Sequence, residues 1–306
     1  MTTVPNFLIS IVGPTAIGKT SLSIALANHF NTEILSSDSR QFYKEMQIGT
    51  AVPSSEELEQ VQHHFIQNRS IFEDYSVGQF EKDAIQQLNS LFQNNKVIVM
   101  VGGSGLYVDA VLNGLDTFPK VDPIIRKQLK LELEEHGLEG LQSQLKNLDI
   151  KAYQSLDIYN HQRVIRALEI CLGTGTPFSS FLTANTTTRN FVPIKIGLTA
   201  DREVVYSRIN QRVDLMMEAG LLEEAKQLYP HKDLNALQTV GYKELFQYFD
   251  GTIDLPFAIS EIKKNSRRFA KRQGTWFKRD NSIQWFDYQA QHIKIIQYIE
   301  NSIKNH

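Results

Sequence analysis

The sequence predicts an α/β fold, a parallel sheet flanked by helices and carrying a helical insertion, and three observations predict it. Short apolar, β-branched runs recur at FLISIV (7–12), TEILSS (32–37), KVIVMV (96–101) and PIKIGL (193–198), and strands apolar on both faces belong in a buried parallel sheet. Between them the pattern is helical, at about Gly18 to Phe30, Val77 to Gln93 and Gly105 to Leu112, as parallel crossovers require. From Pro123 to Leu172 helical periodicity runs on without a convincing strand until the breaker-rich GTGTP at 173–177. A core domain is therefore expected at 1–118 and 191–306, with a helical insertion domain at 119–190. The sheet resumes near Phe191, and long helices are expected over Asp201 to Tyr229 and Leu255 to Phe277. Outside the polar NTTTRN stretch (185–190) there is neither low complexity nor an internal repeat.

A chain of 306 residues can bury a substantial core with a smaller lobe beside it, and 42% apolar and 22% charged residues fit a globular protein. Cys171 is the only cysteine, which excludes an internal disulfide and a cysteine-rich zinc site; a packed thiol suits a reducing compartment, so the cytoplasm is the expected location. The N-terminus lacks a basic n-region and no apolar stretch reaches membrane-spanning length, so neither secretion nor membrane insertion is expected. A net charge of −2 argues against indiscriminate coating of nucleic acid. It conceals one asymmetry: Lys263, Lys264, Arg267, Arg268, Lys271, Arg272, Lys278 and Arg279 follow one another with no acid between them. A polyanion is a candidate partner.

The string GPTAIGKT, Gly13, Pro14, Thr15, Ala16, Ile17, Gly18, Lys19 and Thr20, fits G-x-x-x-x-G-K-[ST] between a strand and a helix, which makes the predicted sheet P-loop NTPase-like. Its glycines let backbone N–H groups curl round phosphate oxygens, the helix N-terminus adds its positive end, Lys19 supplies a point charge and Thr20 can ligate Mg²⁺. The motif fixes phosphate binding and leaves ATP and other diphosphates equally open. SSDSRQFYKEMQIGT (36–50) begins where the second strand ends, so Asp38 falls at the ligand-binding edge of the sheet. There it can be a general base, an outer-sphere magnesium ligand or a turn-capping carboxylate. VGGSGLYVDA (101–110) repeats the strand-to-helix geometry. Gly102, Gly103 and Gly105 permit close backbone approach, and Ser104 can donate to a substrate or a bridging phosphoryl oxygen. His63 and His64, in the strand-like VQHHFI, have no accompanying ligand cluster and read as structural, as Cys171 reads as packing.

Taken together, GPTAIGKT, SSDSRQFY with IGTA, and VGGSGLY resemble the tRNA dimethylallyltransferase (tRNA isopentenyltransferase) family. QRVIRALEI (162–170) with TGTPFS, QRVDLMMEAGLLEEAKQL (211–228), QTVGYKEL (238–245) and AKRQGTWFKR (270–279) extend the resemblance over almost the whole chain. The resemblance implies transfer of a dimethylallyl group from dimethylallyl diphosphate to N6 of adenosine 37, in tRNAs reading codons that start with U, with Mg²⁺ as cofactor and a monomeric enzyme. It implies that Lys19, Thr20 and Arg212 neutralise the diphosphate and that Asp38 takes the proton from the amine. It further implies tRNA contacts from Asp38, Ser39, Arg40, Gln41 and Ser104, and from Arg126, Gln162, Arg163, Val164, Ile165 and Arg166 in the insertion. Contacts are likewise implied from Gln238, Gly241, Tyr242 and Lys243, and from Lys271, Arg272, Gln273, Trp276 and Lys278. Two positions depart from the usual family residue: Ser104 stands for Thr and keeps the hydroxyl, and Ser37 stands for Ala.

The chemistry of the residues agrees. The adenine amine is a poor nucleophile, so a base must act while the leaving diphosphate is stabilised, roles that Asp38 and the loop can fill. The basic helix, with Phe269, Trp276 and Phe277 interleaved, reads as core aromatics beneath RNA-binding cations. A small-molecule kinase, an adenylate isopentenyltransferase and an RNA-binding module are the alternatives. The first two need no RNA-gripping insertion or basic tail, and intact Lys19, Thr20 and Asp38 speak against the third.

Overall fold

The computed structural model describes residues 5–182 and 188–306. Expectations falling on residues 1–4 and 183–187, including part of the NTTTRN stretch, lie outside the described residues. Two compact units are present, Met1–Leu112 with Arg189–His306, and Asn113–Thr188. The second begins earlier than the expected breakpoint at 118/119 because Phe118 already packs on its core. It ends before 190/191 because Arg189 belongs to the first unit, where it pairs with Glu81 at 2.6 Å and donates to the Ala110 carbonyl at 2.7 Å.

The first unit is built on six strands: β1 Asn6–Val12, β2 Ile34–Ser36, β3 His63–His64, β4 Val97–Val101, β5 Phe191–Thr199 and β6 Gln284–Asp287. They form one sheet in the order β3-β2-β4-β1-β5-β6 with every pairing parallel. The fold is the expected helix-flanked parallel sheet. Alternation does the layering: Phe7, Ile9 and Ile11 of β1 face one core and Leu8 and Val12 the other, while in β4 Val99 and then Ile98 and Met100 divide the same way. Helices α1 Lys19–Phe30, α2 Ser55–Gln60, α3 Val77–Leu91 and α4 Gly105–Asn113 follow the first strands. The second unit contains α5 Pro123–His136, α6 Leu138–Leu148, α7 Ile150–Ser155 and α8 His161–Thr174, packed around Leu141, Leu145, Val164 and Leu168. Buried Cys171 lies in that core, and burial pushes its thiol pKa up. The chain then continues in the first unit through α9 Arg202–Glu218, α10 Leu221–Leu228, α11 Tyr242–Phe249, α12 Leu255–Phe277 and α13 His292–Lys304. Helix α1 supplies Leu22 and Leu26 to one face of the sheet with Ile295 and Ile299 of α13; α3 and α4 supply Phe80, Leu88 and Val111 to the other. Among the described residues no helix is long and apolar enough to cross a membrane.

Strand β6 and helix α13 were not anticipated, and the single helix expected over Asp201 to Tyr229 is two. It breaks at Gly220, whose φ of 101° an L side chain resists, and α10 sets off from there. That break lets α9 serve the sheet through Val205 and Ile209 while Val213, Leu221 and Leu228 build a third core with Tyr242, Phe246 and Ile262. Gly220→Ala is expected to lower stability by about 1 kcal/mol, the cost of a left-handed alanine, measured by urea denaturation.

Candidate active site

All three ligand-facing loops leave the carboxyl ends of adjacent parallel strands, at the point where the chain has wound first to one side of β1 and then to the other. That edge is where open α/β sheets bind ligands. The loop after β1 turns tightly because Gly13 has φ 143°, and a Cβ there would sit 2.6 Å from the Leu198 carbonyl oxygen of β5. Ala16 and Gly18 also have positive φ, at 63° and 105°. Helix α1 then starts with no side-chain cap and no acid in its first turn, so its N–H groups and dipole face the loop. The Lys19 ammonium folds back to donate to the Gly13 and Pro14 carbonyls at 3.0 and 2.8 Å. Burial pushes its pKa down to about 8, against the opposing pull of Asp38.

A cavity of about 440 Å³ opens over this loop, lined by Thr15 to Thr20, Asp38, Gln41 and Arg212. Helix α9 presents two arginines one turn apart: Arg212 donates to Thr15 Oγ1 at 3.3 Å and Arg208 to the Ala16 carbonyl at 2.7 Å. Burial lowers the Arg212 pKa while Asp38 pulls it back up. Arg208 was missed in the sequence, although its i−4 spacing from Arg212 is a usable signal. Asp38 accepts from the Arg40 N–H at 3.2 Å. A Cβ on Gly103 would lie only 2.3 Å from Gln273 Nε2, so glycine lets that amide close on the turn, while Asp38 Oδ2, at 3.8 Å from the same point, lies in ordinary contact range. Gly102 is required similarly against Ser37, 2.2 Å away.

Several expected residues occupy other roles. Gln273 is 5% exposed; its Oε1 accepts from the Thr15 N–H at 2.9 Å and its Nε2 donates to the Gly103 carbonyl at 2.9 Å. It is a strut between two loops. Tyr242 is 0% exposed, with its hydroxyl donating to Glu224 at 2.7 Å, and Gly241 is buried beside it. Val164 and Ile165 are core residues of the helical unit because they occupy the inward stripe of α8. The side chains at these positions, expected to contact RNA, are packed in the interior of the free protein. Ser104 lies outside the cavity lining; its hydroxyl accepts from the Ser39 N–H at 3.0 Å and meets Ser39 Oγ at 3.0 Å, which fixes the segment carrying Asp38. The Arg40 guanidinium donates to the carbonyls of Asn235 and Ala236 at 3.2 and 2.9 Å. His64 pairs with Glu33 at 2.7 Å, whereas His63 lines the cavity with a buried, unpartnered Nε2, and burial lowers its pKa. Thus one of the two histidines read as structural belongs to the site's wall.

The basic helix divides in function. Lys263 and Lys264 pair with Asp214 and Glu261 at 2.6 and 2.7 Å, and Arg267 donates to Asn210 at 2.6 Å. Lys271, Arg272, Lys278 and Arg279 are exposed, with the guanidiniums of Arg272 and Arg279 above the rings of Phe269 and Trp276. Of the interleaved aromatics only Phe277 is core; Trp276 is half-buried and donates to Asp109 at 2.9 Å, and Phe269 is exposed. Gln238 and Lys243 are exposed as well. In the helical unit Gln162 and Arg163 are exposed, and Arg126 and Arg166 converge on Glu169 at 2.9 Å each. Burial alone would raise the Glu169 pKa, but the two arginines hold it below its ordinary value.

The IPP transferase family model matches residues 41–280. The chain belongs to this family. Among its IPP transferase relatives, a tRNA dimethylallyltransferase of Flavobacterium johnsoniae is 59% identical over 306 residues, covering 98% of this chain and 99% of that protein. The crystal structure of a full-length tRNA isopentenylpyrophosphate transferase from Bacillus halodurans is 38% identical, with a TM-score of 0.74 and coverage of 98% of this chain and 97% of that one. A eukaryotic dimethylallyltransferase acting on tRNA is 27% identical with a TM-score of 0.81, covering 98% and 80% of the two chains.

The half-buried Lys19 of this IPP transferase generates a pH dependence. As pH rises through about 8 the free site loses its ammonium charge, whereas a bound polyanion favours the charged form. Affinity for inorganic diphosphate therefore falls above that pH, by up to about tenfold per unit. Calorimetric titration across this range checks it, with Lys19→Met binding weakly throughout and lacking the inflection.

Proposed function

We propose that this protein transfers a dimethylallyl group from dimethylallyl diphosphate to N6 of adenosine 37 in tRNAs that read codons beginning with U. The observation that carries the reading is the convergence of the phosphate loop, Arg212 and the Asp38 carboxylate on one cavity, in a chain whose relatives over their full length are tRNA dimethylallyltransferases. The loop's N–H groups, Lys19 and Arg212 hold the diphosphate. As the amine nitrogen bonds to the allylic carbon, the carbon–oxygen bond to the diphosphate breaks and the amine proton passes to Asp38. The product N6-(dimethylallyl)adenosine and free diphosphate remain.

Mg²⁺ fits the donor set. Thr20 and Asp38 line the same cavity and offer hard oxygens: Thr20 would ligate the ion and Asp38 would hold it through water, with the substrate phosphates completing the site. Among the described residues no group of three His, Cys, Asp or Glu side chains could hold a metal unaided. When bound, the ion draws negative charge from the leaving diphosphate.

A base stacked in an anticodon loop cannot reach a cavity of this kind, so adenosine 37 is extruded from the loop into it. The exposed Lys271, Arg272 and Lys278 of α12 suit the phosphate backbone, as do Arg126, Arg163 and Arg166 of the helical unit. The enzyme acts as a cytoplasmic monomer in this reading.

Incubation with dimethylallyl diphosphate, Mg²⁺ and unmodified tRNA should yield N6-dimethylallyladenosine by nucleoside mass analysis; its absence, or equal turnover with ATP and a small acceptor instead, overturns the reading. Asp38→Ala should lower the transfer rate by at least about a hundredfold with tRNA binding retained. Lys271→Glu with Arg272→Glu should instead weaken tRNA binding and flatten its salt dependence, seen by filter binding.

A further inference from the structure

The cavity has a wall that the phosphate chemistry does not account for. Beyond the loop it is lined by Thr50, Ala51, Val52 and Pro53, with Ile66 and Leu215. Set among the polar Glu57, His63 and Gln211 of the same lining, these aliphatic side chains can take a hydrocarbon tail whose charged head the loop holds. Residues 50–53 have no regular secondary structure of their own, so something else must fix them.

Glu224 of α10 does so. Its Oε2 accepts from the N–H groups of Gln47 and Ile48 at 3.0 and 2.8 Å, and its Oε1 accepts from the Gly49 N–H at 2.9 Å and the Tyr242 hydroxyl at 2.7 Å. One carboxylate thus takes three consecutive backbone donors and a phenol, a charge-assisted arrangement stronger than neutral hydrogen bonds. The fit leaves no slack. A Cβ on Gly49 would lie 2.6 Å from the Tyr242 ring, which is fully buried. Burial and the neighbouring Glu224 charge together push the Tyr242 pKa far above its ordinary value, so the phenol stays a donor. Immediately downstream, the Ala51 N–H donates to the Ile48 carbonyl at 3.0 Å and the Val52 N–H to the Gln47 carbonyl at 3.2 Å. The segment that Glu224 grips is therefore the one on which the cavity wall hangs. From inside, Gln41 donates to the Ala51 carbonyl at 2.9 Å.

We infer that Glu224, through Tyr242 and the backbone of 47–49, is the positioning residue that sets the cavity wall against the donor's hydrocarbon tail. It governs affinity for the prenyl part of the donor while leaving the diphosphate grip to the loop. The inference rests on the donor assignment proposed above.

The test compares Glu224→Gln and Tyr242→Phe with the parent, using calorimetric binding of dimethylallyl diphosphate and of inorganic diphosphate. Amide exchange over residues 47–53 and melting temperature are measured alongside. Glu224→Gln replaces one acceptor oxygen by an amide donor facing backbone N–H groups. It is expected to weaken dimethylallyl diphosphate about tenfold while inorganic diphosphate changes by less than about twofold, with faster exchange at 47–53. Tyr242→Phe, which removes one donor, should do the same to a smaller degree. In steady state the loss should appear in KM for the donor more than in kcat. Leu245→Ala, a cavity in the same helical core, is the stability control and should lower the melting temperature without separating the two ligands. Unchanged donor affinity in folded Glu224→Gln, equal loss of both ligands, or the same separation in Leu245→Ala overturns the inference. Failure of the parent to modify tRNA would overturn the transferase reading instead, and binding and exchange still decide the role of Glu224.

Discussion

The carboxamide of Gln273 is the constraint on which the rest of the site depends. It accepts from the phosphate loop at Thr15 and donates to the turn after β4 at Gly103, joining loops that leave two neighbouring strands. A buried amide is costly unless its donor and acceptor are both satisfied, so this side chain admits essentially one spacing between the loops. Asp38 lies against the same turn, and glycine at 103 leaves the room that the Gln273 amide takes up. The spacing between the phosphate cradle and the turn beside the carboxylate is thereby set by Gln273, and Ser104 of that turn holds the segment that carries Asp38.

Gln273 lies on α12, the helix that also displays Lys271, Arg272 and Lys278. In a helix these neighbours diverge by about 100° per residue, so one turn can point an amide into the sheet edge and cations outward. The chemistry and the anionic surface it is proposed to bind are therefore set on one rigid element. The upstream half of the basic run is spent internally: Lys263 and Arg267 anchor the helix to α9 through Asp214 and Asn210, and Lys264 pairs with Glu261 within α12 itself.

A second framework holds the opposite side of the cavity. Segment 38–50 is pinned by Ser104, by the carbonyls that receive Arg40, and by Glu224. It lies between the sheet and the third core, which contains Tyr43 and Met46 together with Tyr242. Breaking α9 from α10 at Gly220 makes this possible, because a continuous helix would carry Leu221 and Glu224 away along the axis of α9 instead of turning them back on the segment.

The sequence by itself determined the features carried by local chemistry. Apolar runs on both faces gave the parallel sheet, the glycine-lysine-threonine string gave the phosphate cradle, and strand-end positions brought Asp38 and Gly103 to the same edge. The helical character of the insertion was legible for the same reason, since periodicity is a local property. Tertiary structure alone decided which of the motif residues face the site and which hold it together. Gln273, Tyr242, Val164 and Ile165 sit in strings that resemble RNA-contacting ones, yet their side chains are packed. Whether a polar side chain meets solvent, backbone or ligand depends on partners hundreds of residues away, as in the 258-residue separation of Gln273 from Thr15. No local pattern encodes that. The same holds for Glu224, an ordinary helical glutamate in sequence, which becomes an anchor only because three backbone donors from a distant loop converge on it.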